Sequence, residues 1–288
     1  MPDTFFDPLN ALLSMFPLWI VGLLLIAACL ATRELGSYFY RRAVRRRGQV
    51  EADVEAPTKA SDADNYVITS IFGLMAFLIA LTFSMALDRY DARRMLVADE
   101  ANAINTTYLR AGLFDQPHSG RLQAMLREYA HSRVAPDGMW RRQMEAGIVV
   151  SRNLRTKIWA EGREAVLPVR ETELASYFVE ALNNMFEVAV RREQAARAHI
   201  PVRILEVLLL YLLAAAGVLG YALGNSGKGH RQAATLLIVL LAVGIVVILD
   251  IDQPRAGTIK VPQTALQELV TALDQDAANA PTASSGSH

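Results

Sequence analysis

The sequence has almost no cysteine and no excess charge of either sign, and both absences narrow its function. Its one cysteine, Cys29, lies in an apolar stretch, so an intramolecular disulfide is excluded. Lysine and arginine together number 29, and so do aspartate and glutamate, which leaves a formal net charge of zero. There is no basic stretch with interleaved aromatic residues, so the sequence does not predict nucleic-acid binding.

The motifs of the common enzyme classes are missing as well. The segment GNSGKGH resembles a phosphate-binding loop, but Ala222 and Gly229 stand where that loop needs glycine and then serine or threonine. The histidines have neither metal-ligand spacing nor a cysteine partner, and no serine is flanked by the glycines of a nucleophile motif. Asp250 and Asp252 would diverge on a helix. We therefore expect no enzyme activity, no metal and no cofactor.

Long apolar stretches are what the sequence has instead. Four of them carry no charged side chain, at 11–31, 66–87, 207–223 and 233–249. At 1.5 Å per residue each is long enough, or nearly so, to cross a hydrocarbon core of about 30 Å. The sequence thus predicts an all-α, polytopic membrane protein with the lipid bilayer as its first partner.

The polar remainder is predicted to be helical too. Prolines at 117, 136 and 168 separate segments with apolar residues at spacings of three and four, and alternating β-branched runs are absent. Pro262 opens a short amphipathic helix with one apolar side, formed by Leu266, Leu269, Val270 and Leu273. Pro201 is expected to kink a helix that runs from Arg170 into the third span.

These features divide the chain into eight parts. The predicted boundaries are 1–32 for transmembrane helix 1, 33–65 for a basic and acidic linker loop, 66–87 for transmembrane helix 2, 88–203 for a helical extramembrane domain, 204–224 for transmembrane helix 3, 225–232 for a short loop, 233–251 for transmembrane helix 4, and 252–288 for a C-terminal segment with the amphipathic helix and a disordered tail.

The second span is predicted to continue beyond the membrane. Between Tyr66 and Gln116 there is no proline, and only two glycines weaken a helix. The simplest structure is one continuous helix of about fifty residues, roughly 75 Å long, half of it in lipid. The mixed charges after Ala86 would then lie on a helix that leaves the bilayer unbroken.

Those charges belong to a larger group at one membrane level. With four spans, the ends of spans two and four and the start of span three share one membrane face, so their charges can pair. We interpret the group as a salt-bridged collar that fixes the helical domain on the bundle; a charged mouth that steers ions is the alternative. The collar comprises Asp88, Arg89, Asp91, Arg93, Arg203, Asp250, Asp252 and Arg255. Its expected pairs join Asp250 or Asp252 to Arg89, Arg93 or Arg203, and Arg255 to Asp88 or Asp91.

Span two carries two contrasting faces. Small or polar residues recur at intervals of three and four on one side and favour close helix packing, with a pore lining as the alternative. This small-residue face comprises Thr69, Gly73, Ala76, Ala80 and Ser84, and Asp91, Ala98, Asn102 and Asn105 continue it. Beside it runs a bulky ridge that could serve as an apolar gate, formed by Ile71, Met75, Ile79 and Phe83. Span three has a seam of small residues at Ala216, Gly220 and Gly224.

Charge around the first span predicts the orientation. Six arginines lie between Arg33 and Arg47, whereas no positive residue precedes the span. By the positive-inside rule the first loop is cytoplasmic, and the helical domain and both termini are extracytoplasmic. The expected location is a bacterial inner membrane.

Two sequence blocks carry a resemblance. ALDRYDARRMLVADEANAINTTYLRAGL and, much later, VILDIDQPRAGTIKVPQTAL resemble the bestrophin-like family of four-span bacterial membrane proteins, which is distantly similar to bestrophin anion channels. The layout of two spans, a helical insert and two spans covers nearly the whole chain. The family blocks fall on Asp88, Arg89, Arg93, Glu100, Ala101, Asn102, Asp250, Asp252, Pro254, Arg255 and Gly257.

The resemblance implies a homo-oligomeric anion channel. Bestrophins are pentamers whose second span lines the pore through an apolar neck, so the expected partners are further copies of this chain and chloride or another small anion. Bestrophins keep their termini and helical domain in the cytosol, which is the reverse of what the arginine-rich first loop predicts here. The competing hypothesis is a non-conducting membrane scaffold or sensor whose helical domain binds a partner.

Overall fold

The structure, a computed structural model, describes residues 17–47, 60–134, 141–224, 228–253 and 258–279. Every regular element within these ranges is helical, which confirms the all-α prediction. The α-helices are α1 Leu18–Arg47, α2 Ala60–Ala111, α3 His118–Arg133, α4 Arg141–Val166, α5 Glu173–Arg197, α6 Val202–Ala222, α7 Lys228–Asp252 and α8 Thr264–Asn279, with a 3₁₀ turn at Leu167–Val169 between α4 and α5.

Four helical segments of the described chain are long and apolar enough to span a membrane, as expected. They are Leu18–Arg46, Tyr66–Ala111, Glu173–Ala222 and His230–Asp252. The continuous helix predicted for the second span is confirmed as well, since α2 runs for 52 residues without a break. The protein is therefore an all-α, multi-pass membrane protein.

The chain folds into two compact units. The membrane unit contains Met1–Tyr90 and His199–Lys260, and the helical unit contains Asp91–Ala198 and Val261–His288. The C-terminal helix α8 thus belongs to the helical unit, as part of the same core as the segment between spans two and three.

Glycines set the closest helix contact in the membrane unit. A Cβ atom at Gly36 of α1 would overlap the Gly217 carbonyl of α6, and one at Gly220 would overlap the Arg33 backbone. The Ser37 hydroxyl donates a hydrogen bond of 2.9 Å to the Gly220 carbonyl at this crossing. The small-residue seam predicted on span three is therefore a packing surface, and it holds α1 against α6.

Apolar side chains from five helices form the core of the helical unit. The second half of α2 supplies Ile104, α3 supplies Leu122 and Leu126, and α5 supplies Phe178 and Leu182. The predicted amphipathic helix is confirmed, because the apolar side of α8 is buried in this core through Leu266, Leu269 and Leu273, with Val270 partly buried.

The helices begin or end at other residues than the predicted segments in several places. Helix α1 continues to Arg47, through part of the predicted linker loop, because its second half packs on α6 at the glycine contact. Helix α2 begins at Ala60, earlier than Tyr66. The expected kink at Pro201 is a full break, since 198–201 are not helical and Pro201 caps α6. The remaining linker at 48–59, the loop residues 225–227 and the tail at 280–288 lie outside the described residues.

Candidate functional site

The small-residue face of α2 is uncovered in the protomer. Thr69, Gly73, Ala76, Ala80 and Ser84 are all exposed, and a Cβ atom added at Gly73 would meet no other atom within 4 Å. A face of exposed small side chains is available to a second copy, to lipid or to a water-filled path.

The bulky ridge of α2 lies on the packed side of the helix. Met75 is fully buried, Ile79 is half-buried against the membrane core, and Ile71 is half-buried. The Tyr211 hydroxyl of α6 donates to the Ile71 carbonyl at 3.2 Å, which fixes this side of α2 against α6. Phe83 is the outermost member, 38% exposed. The ridge is thus largely a packing surface in the protomer, and its assignment as a gate stays a prediction.

The part of α2 in the helical unit also has an exposed side. Asn102 and Asn105 are exposed, as are the large apolar side chains of Met95 and Leu109 and, just after the helix ends, Leu113. A groove of about 310 Å³ adjoins it, and its polar lining comprises Asp99, Asn102, Thr106, Asn184 and Arg191. Exposed apolar side chains of this size in a polar unit favour contact with another protein surface.

The two collar aspartates at the end of α7 are buried and bind backbone amides. The Asp250 carboxylate accepts hydrogen bonds from the Thr258 and Ile259 amides at 2.7 and 3.1 Å. The Asp252 carboxylate accepts from the Ile200 amide at 3.0 Å, and His199 Nδ1 lies 3.5 Å from it. Asp250 therefore ties Thr258 and Ile259 to the end of span four, and Asp252 satisfies an amide that lies in the helix break before α6.

The collar arginines bind groups close to them in the fold. Arg93 is buried and donates from Nε to the Ala195 carbonyl at 3.1 Å and from Nη2 to the Ala198 carbonyl at 2.5 Å. Arg203 pairs with Glu206 at 3.2 Å. On α2, Asp88 is exposed while Arg89 and Asp91 are half-buried. Arg255, Pro254 and Gly257 lie outside the described residues. The predicted carboxylate–arginine pairs of the collar stay a prediction.

A buried ion cluster in the helical unit is the feature that the sequence analysis missed. Glu100 of α2 is fully buried, and its two oxygens accept from Arg133 Nε at 2.6 Å and Arg192 Nη1 at 2.5 Å. Glu193 of α5 adds a second carboxylate, 3.3 Å from Arg133 and 3.5 Å from Arg155. In the sequence, only the family resemblance indicated Glu100. Its arginine partners lie 33 and 92 residues away along the chain, so they form no local pattern with it.

The neighbouring carboxylates raise the pKa of Arg133. Burial by itself would lower the pKa of Arg133, but the adjacent Glu100 and Glu193 carboxylates raise it above its usual value. The remaining family-block residues on α2 contribute differently, since Ala101 is buried in the core beside the cluster whereas Asn102 is exposed. The cluster thus joins α2, α3, α4 and α5 around one fully buried carboxylate.

Comparison with known proteins agrees with this architecture. The model of the Bestrophin-like domain matches residues 35–266. Among solved structures, two variants of a bacterial bestrophin homolog from Klebsiella pneumoniae are similar, each with a TM-score of 0.62 and 88% of this chain covered. They are 13% and 12% identical, and the match covers 99% and 98% of their own chains. The comparison with curated proteins found no match.

Proposed function

Because the chain belongs to the Bestrophin-like family, we propose that it forms a homo-oligomeric channel for small anions, with α2 lining the path. The uncovered small-residue face carries this proposal. It exposes small side chains and the Ser84 hydroxyl along the membrane-spanning part of α2. Hydroxyl groups and small side chains leave room for a hydrated ion and can donate hydrogen bonds to it.

Burial favours the small-residue face over the bulky ridge as the side that faces an axis. Met75, in the middle of the ridge, is fully buried inside its own protomer and so cannot contact an ion path without repacking. Phe77 is 62% exposed and borders the small-residue face, so it is the bulky apolar side chain available to narrow the path. A pentamer is the assembly that the family resemblance implies.

A non-conducting scaffold or sensor is the second candidate. The exposed apolar side chains of Met95, Leu109 and Leu113 in the helical unit support it, because they offer a surface to a partner protein. In the channel the same surface would contact neighbouring copies of the chain. The two candidates therefore differ in ion flux and in oligomeric state.

Flux through liposomes tests the proposal. Purified protein reconstituted into liposomes should release chloride or iodide faster than empty vesicles. Ala76→Trp should reduce the flux at least tenfold, because an indole ring on the small-residue face would fill a path along it. Leu240→Trp is the matched control on α7, at an apolar position that is 60% exposed, and it should leave the flux unchanged.

Two results would count against the channel. One is wild-type protein that gives no flux above empty vesicles and has the mass of a monomer in detergent, which would favour the scaffold. The other is an Ala76→Trp variant that conducts as well as the wild type, which would show that the small-residue face of α2 does not line the path.

A further inference from the structure

The buried ion cluster of the helical unit holds more positive than negative charge among its described side chains. Arg133, Arg155 and Arg192 are largely buried, with side-chain exposures of 8%, 14% and 10%. They face two carboxylates, those of Glu100 and Glu193. Arg152, which is half exposed, adds a further positive charge beside Glu193. An uncompensated cation inside a protein is unfavourable, so the cluster is a good environment for one more negative charge.

The protein acceptors in the cluster are already engaged. Glu100 accepts one arginine on each of its oxygens. Glu193 accepts Arg133 and Arg155 on Oε1 and Arg152 on Oε2. The Ser151 hydroxyl lies 3.4 Å from Arg133 Nη1 and donates to the Ile148 carbonyl at 2.9 Å. Each carboxylate oxygen of the cluster thus already accepts at least one arginine, and an additional donor is best served by an acceptor from outside this set.

Tyr129 supplies such a donor. Its side chain is fully buried on α3, and its hydroxyl has no hydrogen-bond partner among the residues that the structure describes. The Arg133 guanidinium lies 5.9 Å from the centre of the tyrosine ring, which places the phenol within the cluster. Burial raises the pKa of Tyr129, so its hydroxyl stays protonated and able to donate at neutral pH.

We propose that the helical unit binds one small monovalent anion, of the chemical class of chloride, at the Tyr129 hydroxyl and the guanidinium groups of Arg133 and Arg155. The anion balances the buried cation and accepts the hydrogen bond that Tyr129 offers. The site lies within the helical unit, and it does not depend on ion conduction. Its role is to stabilise the junction of α3, α4 and α5.

Thermal unfolding of the full chain in detergent tests the site. Sodium gluconate is replaced stepwise by sodium chloride at constant ionic strength, because gluconate is too bulky for a buried site. The wild type should show a saturable rise of several degrees in its unfolding midpoint. Tyr129→Phe should need at least tenfold more chloride for half of that rise. Tyr177→Phe, which removes a hydroxyl from an exposed tyrosine, is the matched control and should respond like the wild type.

A second variant keeps the test independent of the tyrosine. Arg155→Gln balances the buried charges, leaving two buried arginines and two carboxylates, and it keeps Glu193 paired with Arg133 and the half-exposed Arg152. It should therefore fold and lose the response to chloride. The proposal is overturned if the wild type has the same thermal unfolding midpoint in chloride as in gluconate. It is equally overturned if Tyr129→Phe shifts the midpoint by the same amount in both salts, since the hydroxyl would then bind water or nothing.

Discussion

Glu100 is the residue on which the helical unit depends most. It is fully buried and bonds arginines from α3 and α5, so three helices meet at its carboxylate. Breaking a buried ion pair by removing one partner costs about 3–5 kcal/mol, because the other charge stays buried without compensation. Here a single substitution would take the carboxylate partner from Arg192 and leave Arg133 only its longer pair with Glu193, at 3.3 Å.

Glu100→Ala should therefore lower the free energy of unfolding by about 3–5 kcal/mol. Urea denaturation in detergent, followed by the fluorescence of Trp159 in the helical unit, measures the change. The control is Glu164→Ala, whose carboxylate pairs with an exposed arginine at 3.0 Å and is itself half exposed; it should change stability by less than about 1 kcal/mol. If the two variants lose the same free energy of unfolding, the buried cluster contributes no more to stability than a surface ion pair.

The cluster also shows which kind of contact can be predicted from the sequence. A local pattern predicts partners three or four positions apart on one helix, and the partners of Glu100 are far apart in the chain. The sequence also predicts that Asp250 and Asp252 pair with arginines at a shared membrane level, and that pairing stays a prediction. It does not predict that both carboxylates accept backbone amides, those of Ile200, Thr258 and Ile259, because these contacts depend on where the chain returns in the fold.

At the scale of elements, the crossing of α1 and α6 is the tightest contact of the membrane unit. A side chain at Gly220 would overlap the Arg33 backbone, and a backbone cannot move aside as a flexible side chain can. Small residues permit this approach, which allows Ser37 to bond the Gly220 carbonyl.

Gly220→Ala should consequently destabilise the protein by about 1–3 kcal/mol, the usual cost of overpacking a core. Gly73→Ala is the matched control on α2, where an added methyl group meets no atom of the protomer, and it should leave the monomer fold as stable or slightly more so. Thermal unfolding in detergent compares the two. A Gly220→Ala protein as stable as Gly73→Ala would show that α1 and α6 separate easily.

The positions of the helices were the most predictable feature of this fold. Uncharged stretches long enough for a bilayer predict the spans, and the lack of proline between Tyr66 and Gln116 predicts the long helix α2. The orientation of α2 was not predictable, because its small-residue face and its bulky ridge repeat with the same helical period. Burial separates them: Met75 packs inside the protomer and Gly73 packs against nothing.

For the whole molecule, the remaining question is which side of the membrane carries the helical unit. Two arguments disagree, since six arginines in 33–47 favour a cytoplasmic first loop while the family resemblance favours a cytosolic helical unit. With four spans, the end of α1 and the helical unit are expected on opposite sides of the membrane. Labelling one position in each therefore decides between the two orientations. Cys29 is buried and gives little background reaction with a thiol reagent.

We expect the positive-inside rule to prevail, because the arginines after span one form the densest positive cluster next to a span and no positive residue precedes that span. In intact bacterial cells, Glu164→Cys in the helical unit should react with a membrane-impermeant maleimide, whereas Arg42→Cys at the end of α1 should react only after lysis. Both positions are exposed, so accessibility within the protein does not distinguish them. The opposite pattern would place the helical unit in the cytosol, as in bestrophins, and would show that insertion of this chain does not follow its first-loop charge.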